Sequence, residues 1–200
     1  MFLFVLCLNY LLGNISFGLV SAKIFKLQDP RTFGSKNIGA TNILRSGNKS
    51  AAIFTLLGDF LKGYIAVCLA IYLQHIFNLD VHVIIYSGLC VFIGHVYPVL
   101  LKFKGGKGVA AAAGVLLALN TIIGLIALMA WLLTAVIFRY SSLAAVFASI
   151  SVMLTSLIVY KFSLDFYIIL SMVLILLYKH KSNISNLING LEPKIGKNTH

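Results

Sequence analysis

A basic, glycine-rich turn between two apolar segments is the part of the sequence best suited to bind an anion. It reads Lys102-Phe103-Lys104-Gly105-Gly106-Lys107-Gly108 and follows Gly94-His95-Val96-Tyr97-Pro98. Glycine lets backbone N–H groups approach an anion without a Cβ atom in the way. The ammonium groups of Lys104 and Lys107 would supply positive charge, and the start of the next helix would add unpaired N–H groups. We predict a phosphate-binding loop, with a mere topology-determining lysine cluster as the alternative.

A second polar segment, residues 33–45, mixes small, amide, hydroxyl and basic side chains without an apolar helical stripe. Hydroxyl groups and backbone N–H groups can donate to an oxyanion, and a guanidinium can bind one through two N–H groups. We interpret the segment as part of a site, although an ordinary solvated turn is the alternative. The candidate ligands are Gly34, Gly39, Ser35, Thr41 and Arg45.

The composition places this chemistry in a membrane. Apolar residues make up 60% of the 200-residue chain and charged residues only 10%, which excludes an ordinary soluble domain. Most of the apolar runs reach the roughly 20 residues that a helix needs to cross a bilayer. We therefore predict an all-α polytopic membrane protein with the lipid bilayer as its partner. The runs cover residues 1–22, 51–74, 83–101, 108–138, 143–160 and 162–178.

The net charge of +11 would suggest nucleic acid as a partner of a soluble protein, but here its placement indicates topology. No nucleic-acid partner is expected. The positive-inside rule assigns three basic segments to the cytoplasm and the loop around His75–His82, which has no Lys or Arg, to the outside. The basic residues are Lys23, Lys26, Arg31, Lys36, Arg45 and Lys49, then Lys102, Lys104 and Lys107, and finally Lys179, Lys181, Lys194 and Lys197.

The run from 108 to 138 is too long for one crossing. A single helix of that length would span about 46 Å, whereas the hydrocarbon core is roughly 30 Å thick. One crossing would also export Arg139 and the lysine-rich C-terminal end. We predict a break near Asn120-Thr121, which gives about seven transmembrane helices with the N-terminus outside and the C-terminus in the cytoplasm.

The predicted domain organisation is simple. Residues 1–188 form one integral membrane domain, and residues 189–200 form a polar cytoplasmic tail that we expect to be disordered from Gly190 onward. The three cysteines, Cys7, Cys68 and Cys90, lie in apolar runs without a CxxC pair and are expected to be small buried hydrophobes. No His, Cys and carboxylate set has a metal-binding spacing, so we expect no metal and no cofactor.

Asp59 and Lys62 are ionisable residues inside the second apolar run, where charges are costly and normally paired. Their i, i+3 spacing favours an internal ion pair. The alternative is that Asp59 orients a basic residue of the cytoplasmic loops, and the sequence leaves both interpretations open.

Two other motifs do not predict a site. His75 and Asp80 fit the H-x4-D pattern of soluble-facing acyltransferases, but the topology puts them outside. The residues from Gly106 to Ala111 match G-x-G-x-x-A, yet neither a preceding strand nor a βαβ unit supports a dinucleotide fold. A Walker A loop is excluded because Leu101 and Gly108 stand where Gly and Ser or Thr are required.

The polar residues include no nucleophile with an adjacent base. Such a site fits substrates that carry their own activation and their own negative charge. An acyl phosphate is a mixed anhydride whose phosphate leaves readily, so a protein need only position an alcohol and stabilise the departing charge. The lipid-facing body would hold the fatty chain.

These motifs together resemble the bacterial acyl-phosphate:glycerol-3-phosphate acyltransferases, the PlsY family. The first motif is Gly34-Ser35-Lys36-Asn37-Ile38-Gly39-Ala40-Thr41-Asn42 followed by Arg45, and the second combines residues 94–98 with residues 103–109. The remaining pieces are Arg139 with Ser142-Leu143, and His180 with Asn183-Ile184.

The resemblance implies a seven-span enzyme of the bacterial plasma (inner) membrane whose active site faces the cytoplasm. It would transfer a fatty acyl group from acyl phosphate to the 1-hydroxyl of sn-glycerol 3-phosphate, giving lysophosphatidate and inorganic phosphate in phospholipid biosynthesis. An acyl-phosphate-forming enzyme would be a functional partner.

The resemblance also implies the site residues. It gives catalytic roles to Ser35, Lys104, His180 and Asn183. Lys104 is preferred to Lys107, whose charge the topology alone explains. It gives substrate-binding roles to Gly34, Asn37, Gly39, Thr41, Asn42, Arg45, His95, Gly105, Gly106, Lys107, Arg139 and Ser142.

Two questions stay open at the level of sequence. We favour a phosphate oxygen of the substrate as the base, with His180 as the alternative because an imidazole pKa near 6.5 suits the task. The competing function is a carrier of a phosphorylated metabolite. The absence of an obvious inverted repeat and the one-sided placement of polar residues argue against that carrier.

Overall fold

The computed structural model describes residues 1–196 of the protein, and these residues form helices joined by short loops, with no strand among them. The all-α prediction is confirmed. The helices are α1 (Phe2–Gly13), α2 (Phe17–Ile24), α3 (Ala40–Leu44), α4 (Lys49–Phe77), α5 (His82–Val96), α6 (Val109–Leu119), α7 (Thr121–Phe138), α8 (Ser141–Tyr160), α9 (Leu164–Lys179) and α10 (Lys181–Ile188).

Four of the helices are long and apolar enough to cross a bilayer, namely α4, α5 with the 3₁₀ turn that follows it, α7 and α8. Helices α1 and α2 meet at a bend of 41° and together form a fifth candidate, whereas α6 is a shorter apolar helix. Large side chains such as Ile158 and Val136 are exposed on the outer faces of these helices, as lipid contact requires. The integral membrane architecture is confirmed, and the count of seven spans and the orientation of the termini stay predictions.

The predicted break in the longest apolar run lies where the sequence placed it. Helix α6 ends at Leu119, and Asn120 is extended. The Asn120 side chain accepts hydrogen bonds from the N–H groups of Ile122 (3.1 Å) and Ile123 (3.2 Å), so it caps the start of α7. The break is therefore a capped junction between two helices.

Small residues let the inner helices approach closely. A Cβ atom on Gly114 of α6 would lie 2.0 Å from the Phe60 carbonyl oxygen of α4, and one on Gly63 of α4 would lie 2.3 Å from the Ala111 carbonyl oxygen of α6. Only glycine fits at this crossing. Around it, Val67 and Phe92 are fully buried in a core that α4, α5, α6, α8 and α9 share.

The cysteines do not form part of this core. Cys7 of α1 and Cys68 of α4 are exposed on the outer surface, and Cys90 of α5 is half-buried. The expectation of buried cysteines is wrong, because their helix faces point to the surroundings of the bundle, where an apolar thiol is equally compatible with lipid.

A buried charged pair joins α4 to the bend between α1 and α2. The Lys62 ammonium lies 2.9 Å from Asp59 Oδ1 and donates hydrogen bonds to the carbonyl oxygens of Gly13 (3.1 Å) and Ile15 (2.6 Å). Those carbonyls lie at the end of α1, where helical partners run out. The predicted ion pair is present, and Lys62 also satisfies the backbone groups that the bend exposes.

We predict that Lys62→Met destabilises the protein by about 3–5 kcal/mol, or roughly 10 °C in the unfolding midpoint, because it leaves the Asp59 carboxylate buried without its cation. Thermal unfolding in detergent micelles measures the effect. Lys49→Met is the matched control, since Lys49 is exposed at the start of the same helix. Equal midpoints for the two variants would contradict a structural role of the pair.

Candidate functional site

A cavity of about 490 Å³ opens between the loop before α4, the glycine turn, and helices α4 and α6–α9. Along α8 its lining runs from Ser142 to Val152, a distance of about 15 Å along the helix. Along α9 it runs from Ile169 towards His180. Polar residues occupy the start of α8 and the end of α9, and apolar residues, including Trp131, line the deeper part. The cavity can therefore hold a polar group and a hydrocarbon chain at once.

The loop before α4 is held in place by Asn42, which is buried in the short helix α3. Its Oδ1 accepts from the Ser35 N–H (2.9 Å), and its amide nitrogen donates to the Pro30 carbonyl oxygen (2.8 Å). Gly34 has a φ of +55°, and a Cβ atom there would lie 2.4 Å from Asn42 Oδ1. Asn42 and Gly34 thus position Ser35, which lines the cavity.

The same loop contributes other cavity residues. Asn37, Gly39 and Thr41 line the cavity, and the Thr41 hydroxyl lies 3.0 Å from the Ser141 hydroxyl at the start of α8. Arg45 is half-buried and lines the cavity, and no side-chain hydrogen bond from it to another of residues 1–196 is present. Burial lowers the pKa of the Arg45 guanidinium, and the negative charge of Glu192 opposes that shift. Arg45 stays charged with its donors available to a ligand.

The glycine turn rests on His95. The Gly106 N–H donates to the His95 carbonyl oxygen (3.1 Å), and a Cβ atom on Gly106 would lie 2.2 Å from His95 Nε2. A Cβ atom on Gly105 would lie 2.1 Å from the same carbonyl oxygen. His95 Nδ1 lies 3.4 Å from Asp59 Oδ1. Asp59 therefore reaches the turn through His95 as well as pairing with Lys62, so both interpretations of Asp59 describe part of the arrangement.

The two lysines of the turn are placed differently. Lys107 is half-buried, lines the cavity and donates a hydrogen bond to Asn183 Oδ1. Burial lowers the pKa of Lys107, and the charge of Glu192 opposes the shift. Lys104 is exposed and does not line the cavity, and neither do Gly34, Gly105 and Gly106. The geometry thus favours Lys107 over Lys104 as the resident cation, the reverse of the sequence-based order.

His180 lies just past the end of α9 and faces the cavity. Its Nδ1 lies 2.8 Å from the Leu176 carbonyl oxygen. A carbonyl oxygen can only accept, so Nδ1 carries the proton and Nε2 offers a lone pair. Burial lowers the pKa of His180 to about 4. At neutral pH the imidazole is an uncharged acceptor.

The C-terminal segment completes the site, which the sequence did not predict. Glu192 is buried, and its Oε1 accepts hydrogen bonds from the Ser142 hydroxyl (2.6 Å) and the Asn183 amide (2.8 Å). The expectation that the tail is disordered from Gly190 is wrong for residues 190–196, whereas Lys197 to His200 lie outside the described residues. Glu192 is one of only five acidic residues, and apolar Leu191 and Pro193 flank it in an otherwise polar tail. That flanking pattern was the available signal.

Arg139 lies apart from the cavity. It is exposed, its guanidinium donates to the Ile195 carbonyl oxygen (3.2 Å), and its own carbonyl oxygen accepts from the Ile195 N–H (2.6 Å). Arg139 therefore holds the C-terminal segment against the start of α8. Residues 1–196 contain no cluster of three His, Cys or acidic side chains that could hold a metal ion.

The structure brings together five of the predicted site residues at the polar end of the cavity, which are Arg45, Lys107, Ser142, His180 and Asn183. Two cations, a hydroxyl, an amide and a neutral imidazole suit an anion that carries hydroxyl groups. The first residues of α6 also line the cavity and add their unpaired N–H groups.

Comparisons with known proteins agree with one another. The family model described as glycerol-3-phosphate acyltransferase matches residues 3–190. A glycerol-3-phosphate acyltransferase of Nitrosospira multiformis is 50% identical over 188 residues, 94% of this chain and 93% of that protein. The one from Nitrosomonas eutropha is 46% identical over 190 residues, 95% of each chain.

Solved structures give the same result. The crystal structure of PlsY, an integral membrane glycerol 3-phosphate acyltransferase, in its glycerol 3-phosphate form has a TM-score of 0.87 and 38% identity over 98% of this chain and 96% of that chain. Its lysophosphatidic acid form has a TM-score of 0.85 and 37% identity over 98% of this chain and 95% of that chain.

We predict that protonation of His180 destabilises the fold. Its pKa is about 4 when folded and about 6.5 when unfolded, so the unfolded chain binds more protons between those values. Stability is complete above about pH 6.5 and falls by about 2 kcal/mol on going from about pH 7.5 to about pH 5. His180→Asn, which keeps a donor for the Leu176 carbonyl, should lose this part of the pH dependence. Unfolding midpoints at the two pH values measure it.

The control for this pH dependence is the exposed His75→Asn, which should behave like the wild type. An unchanged pH dependence in His180→Asn would show that His180 does not titrate as its burial requires.

Proposed function

The chain belongs to the glycerol-3-phosphate acyltransferase family and is an integral membrane acyltransferase, and from that premise we propose the reaction in full. It transfers a fatty acyl group from acyl phosphate to the 1-hydroxyl of sn-glycerol 3-phosphate. The products are 1-acyl-sn-glycerol 3-phosphate (lysophosphatidate) and inorganic phosphate. PlsY structures in glycerol 3-phosphate and lysophosphatidic acid forms support the acceptor and the product.

The observation that carries the proposal is the two-part cavity. Arg45 and Lys107 at the polar end suit phosphate groups, and the first N–H groups of α6 add partial positive charge. The deeper part, lined by residues such as Trp131 and Val152, suits a fatty chain. A substrate pair of one phosphorylated alcohol and one amphipathic acyl phosphate fits both parts.

The proposed chemistry needs no protein nucleophile. The 1-hydroxyl oxygen attacks the acyl carbonyl carbon, the bond from that carbon to the phosphate oxygen breaks, and the electron pair leaves with phosphate. Arg45 and Lys107 stabilise the departing charge, and Ser35 and the nearby N–H groups hold the phosphoryl oxygens. Ser142, His180 and Asn183 contact the glycerol moiety.

The structure bears on the choice of base. His180 Nε2 offers a lone pair, but the lowered pKa makes the imidazole a weak proton acceptor. A phosphate oxygen of the substrate is therefore the better base, and it takes the hydroxyl proton. His180 then acts by accepting a hydrogen bond that orients the acceptor.

The location of the reaction follows from charge and chemistry. The polar end of the cavity lies among the basic loops, which the positive-inside rule assigns to the cytoplasm. We place the protein in the bacterial plasma membrane with the site facing the cytoplasm. An acyl-phosphate-forming enzyme must supply the donor.

The purified protein in detergent should release phosphate from palmitoyl phosphate only when glycerol 3-phosphate is present, with lysophosphatidate formed in equal amount. Colorimetric phosphate and lipid mass spectrometry measure both products. Absence of release, together with glycerol 3-phosphate uptake into liposomes, would replace the enzyme by a carrier. Activity with an acyl thioester alone would contradict the donor.

The two lysines of the glycine turn give a second test. Lys107→Ala removes a cation from the cavity, so the KM for glycerol 3-phosphate should rise by at least about tenfold. Lys104 lies on the exposed rim, and its long, flexible side chain can reach a bound acyl phosphate. Lys104→Ala should therefore lower kcat by at least about tenfold.

The matched control for both lysines is Lys102→Ala, an exposed residue of the same turn that does not line the cavity and should keep wild-type kinetics. Near-normal kcat in Lys104→Ala would remove Lys104 from the site and leave Lys107 as the only cation of the turn that acts there.

A further inference from the structure

The C-terminal segment returns to the bundle and is fixed there at both ends. After α10, the N–H groups of Leu191 (2.8 Å) and Glu192 (3.2 Å) donate to the Asn186 carbonyl oxygen. Further on, Ile195 exchanges backbone and side-chain hydrogen bonds with Arg139 at the junction of α7 and α8. The residue between these two anchors that enters the cavity is Glu192. It is 9% exposed.

The two oxygens of the Glu192 carboxylate have different surroundings. Oε1 accepts from Ser142 and Asn183, whereas Oε2 is buried without a hydrogen-bond partner among residues 1–196. A buried charged oxygen without a donor is costly, and such groups call for an explanation. A donor supplied by a ligand in the cavity is a direct one.

Asn183 fixes the orientation of this carboxylate relative to the cations. Its Oδ1 accepts from Lys107 and its amide nitrogen donates to Glu192, so the amide bridges the cation and the anion. Arg45 also senses the Glu192 charge. The acceptor's phosphate would lie beside Arg45 and Lys107, and the carbon next to the phosphate-bearing carbon would then lie beside Glu192.

We propose that Glu192 determines acceptor specificity by accepting, through Oε2, a hydrogen bond from the 2-hydroxyl of glycerol 3-phosphate. The inference rests on the proposed acceptor. A ketone at the same carbon offers only lone pairs, so it would face Oε2 without a donor and leave that oxygen unpaired. Sites built to bond a hydroxyl reject analogues without it strongly. Glu192 thus selects the alcohol over the ketone, dihydroxyacetone phosphate.

Glu192→Gln isolates Oε2. The amide keeps Oε1 as an acceptor for Ser142 and Asn183, and it replaces the acceptor Oε2 with an NH₂ donor of the same size. The measurement is equilibrium binding of glycerol 3-phosphate and dihydroxyacetone phosphate by calorimetry, which does not depend on turnover. The wild type should bind the alcohol at least about tenfold more tightly than the ketone, and the variant should lose at least about tenfold of that ratio.

The control is Lys194→Gln, an exposed change in the same segment, which should keep the wild-type ratio. An unchanged ratio in Glu192→Gln would overturn the proposal. Tighter binding of glycerol 3-phosphate by that variant would overturn it too, because Glu192 would then be a carboxylate that competes with the substrate phosphate. If the wild type binds both ligands as expected but releases no phosphate, the donor has failed and the specificity assignment stands.

Discussion

The buried pair of Asp59 and Lys62 is the interaction on which the rest of the structure depends. Charges inside a membrane protein are expensive, and so are backbone carbonyls without donors. Lys62 meets both costs at one point, since it pairs with Asp59 and donates to two carbonyls at the bend between α1 and α2. The bend directs the chain out of the bundle towards the loop that bears Ser35 and Arg45.

The other side of Asp59 leads to the second half of the site. His95 lies against Asp59, and Gly105 and Gly106 pack on His95 so closely that no larger residue fits. The turn then delivers Lys107 and the first residues of α6 to the cavity. A charged pair inside the bundle therefore positions groups in two loops that are far apart in sequence.

The large features could be predicted because membrane insertion leaves few alternatives. Apolar runs must be helices, and a run too long for one crossing must break, which Asn120 does as a capping residue. Roles within the site were harder to predict. Asn42, His95, Gly105 and Gly106 belong to the right motifs but support the site from behind, because the direction of a side chain is set by tertiary packing that spacing alone does not reveal. Lys104 and Lys107 differ for the same reason, and Glu192 was missed because a short polar tail has no periodicity.

The polar groups that surround the cavity are set before any ligand binds. Asn42 holds Ser35, a helix carbonyl fixes the tautomer of His180, and Asn183 is held between Lys107 and Glu192. Groups held in this way need little rearrangement when charge moves to a leaving phosphate, which is where preorganised electrostatics contribute most. A donor that carries its own leaving group asks for no more than this. The absence of a protein nucleophile among the cavity residues described here is therefore compatible with acyl transfer, provided that the backbone contacts keep these groups in place.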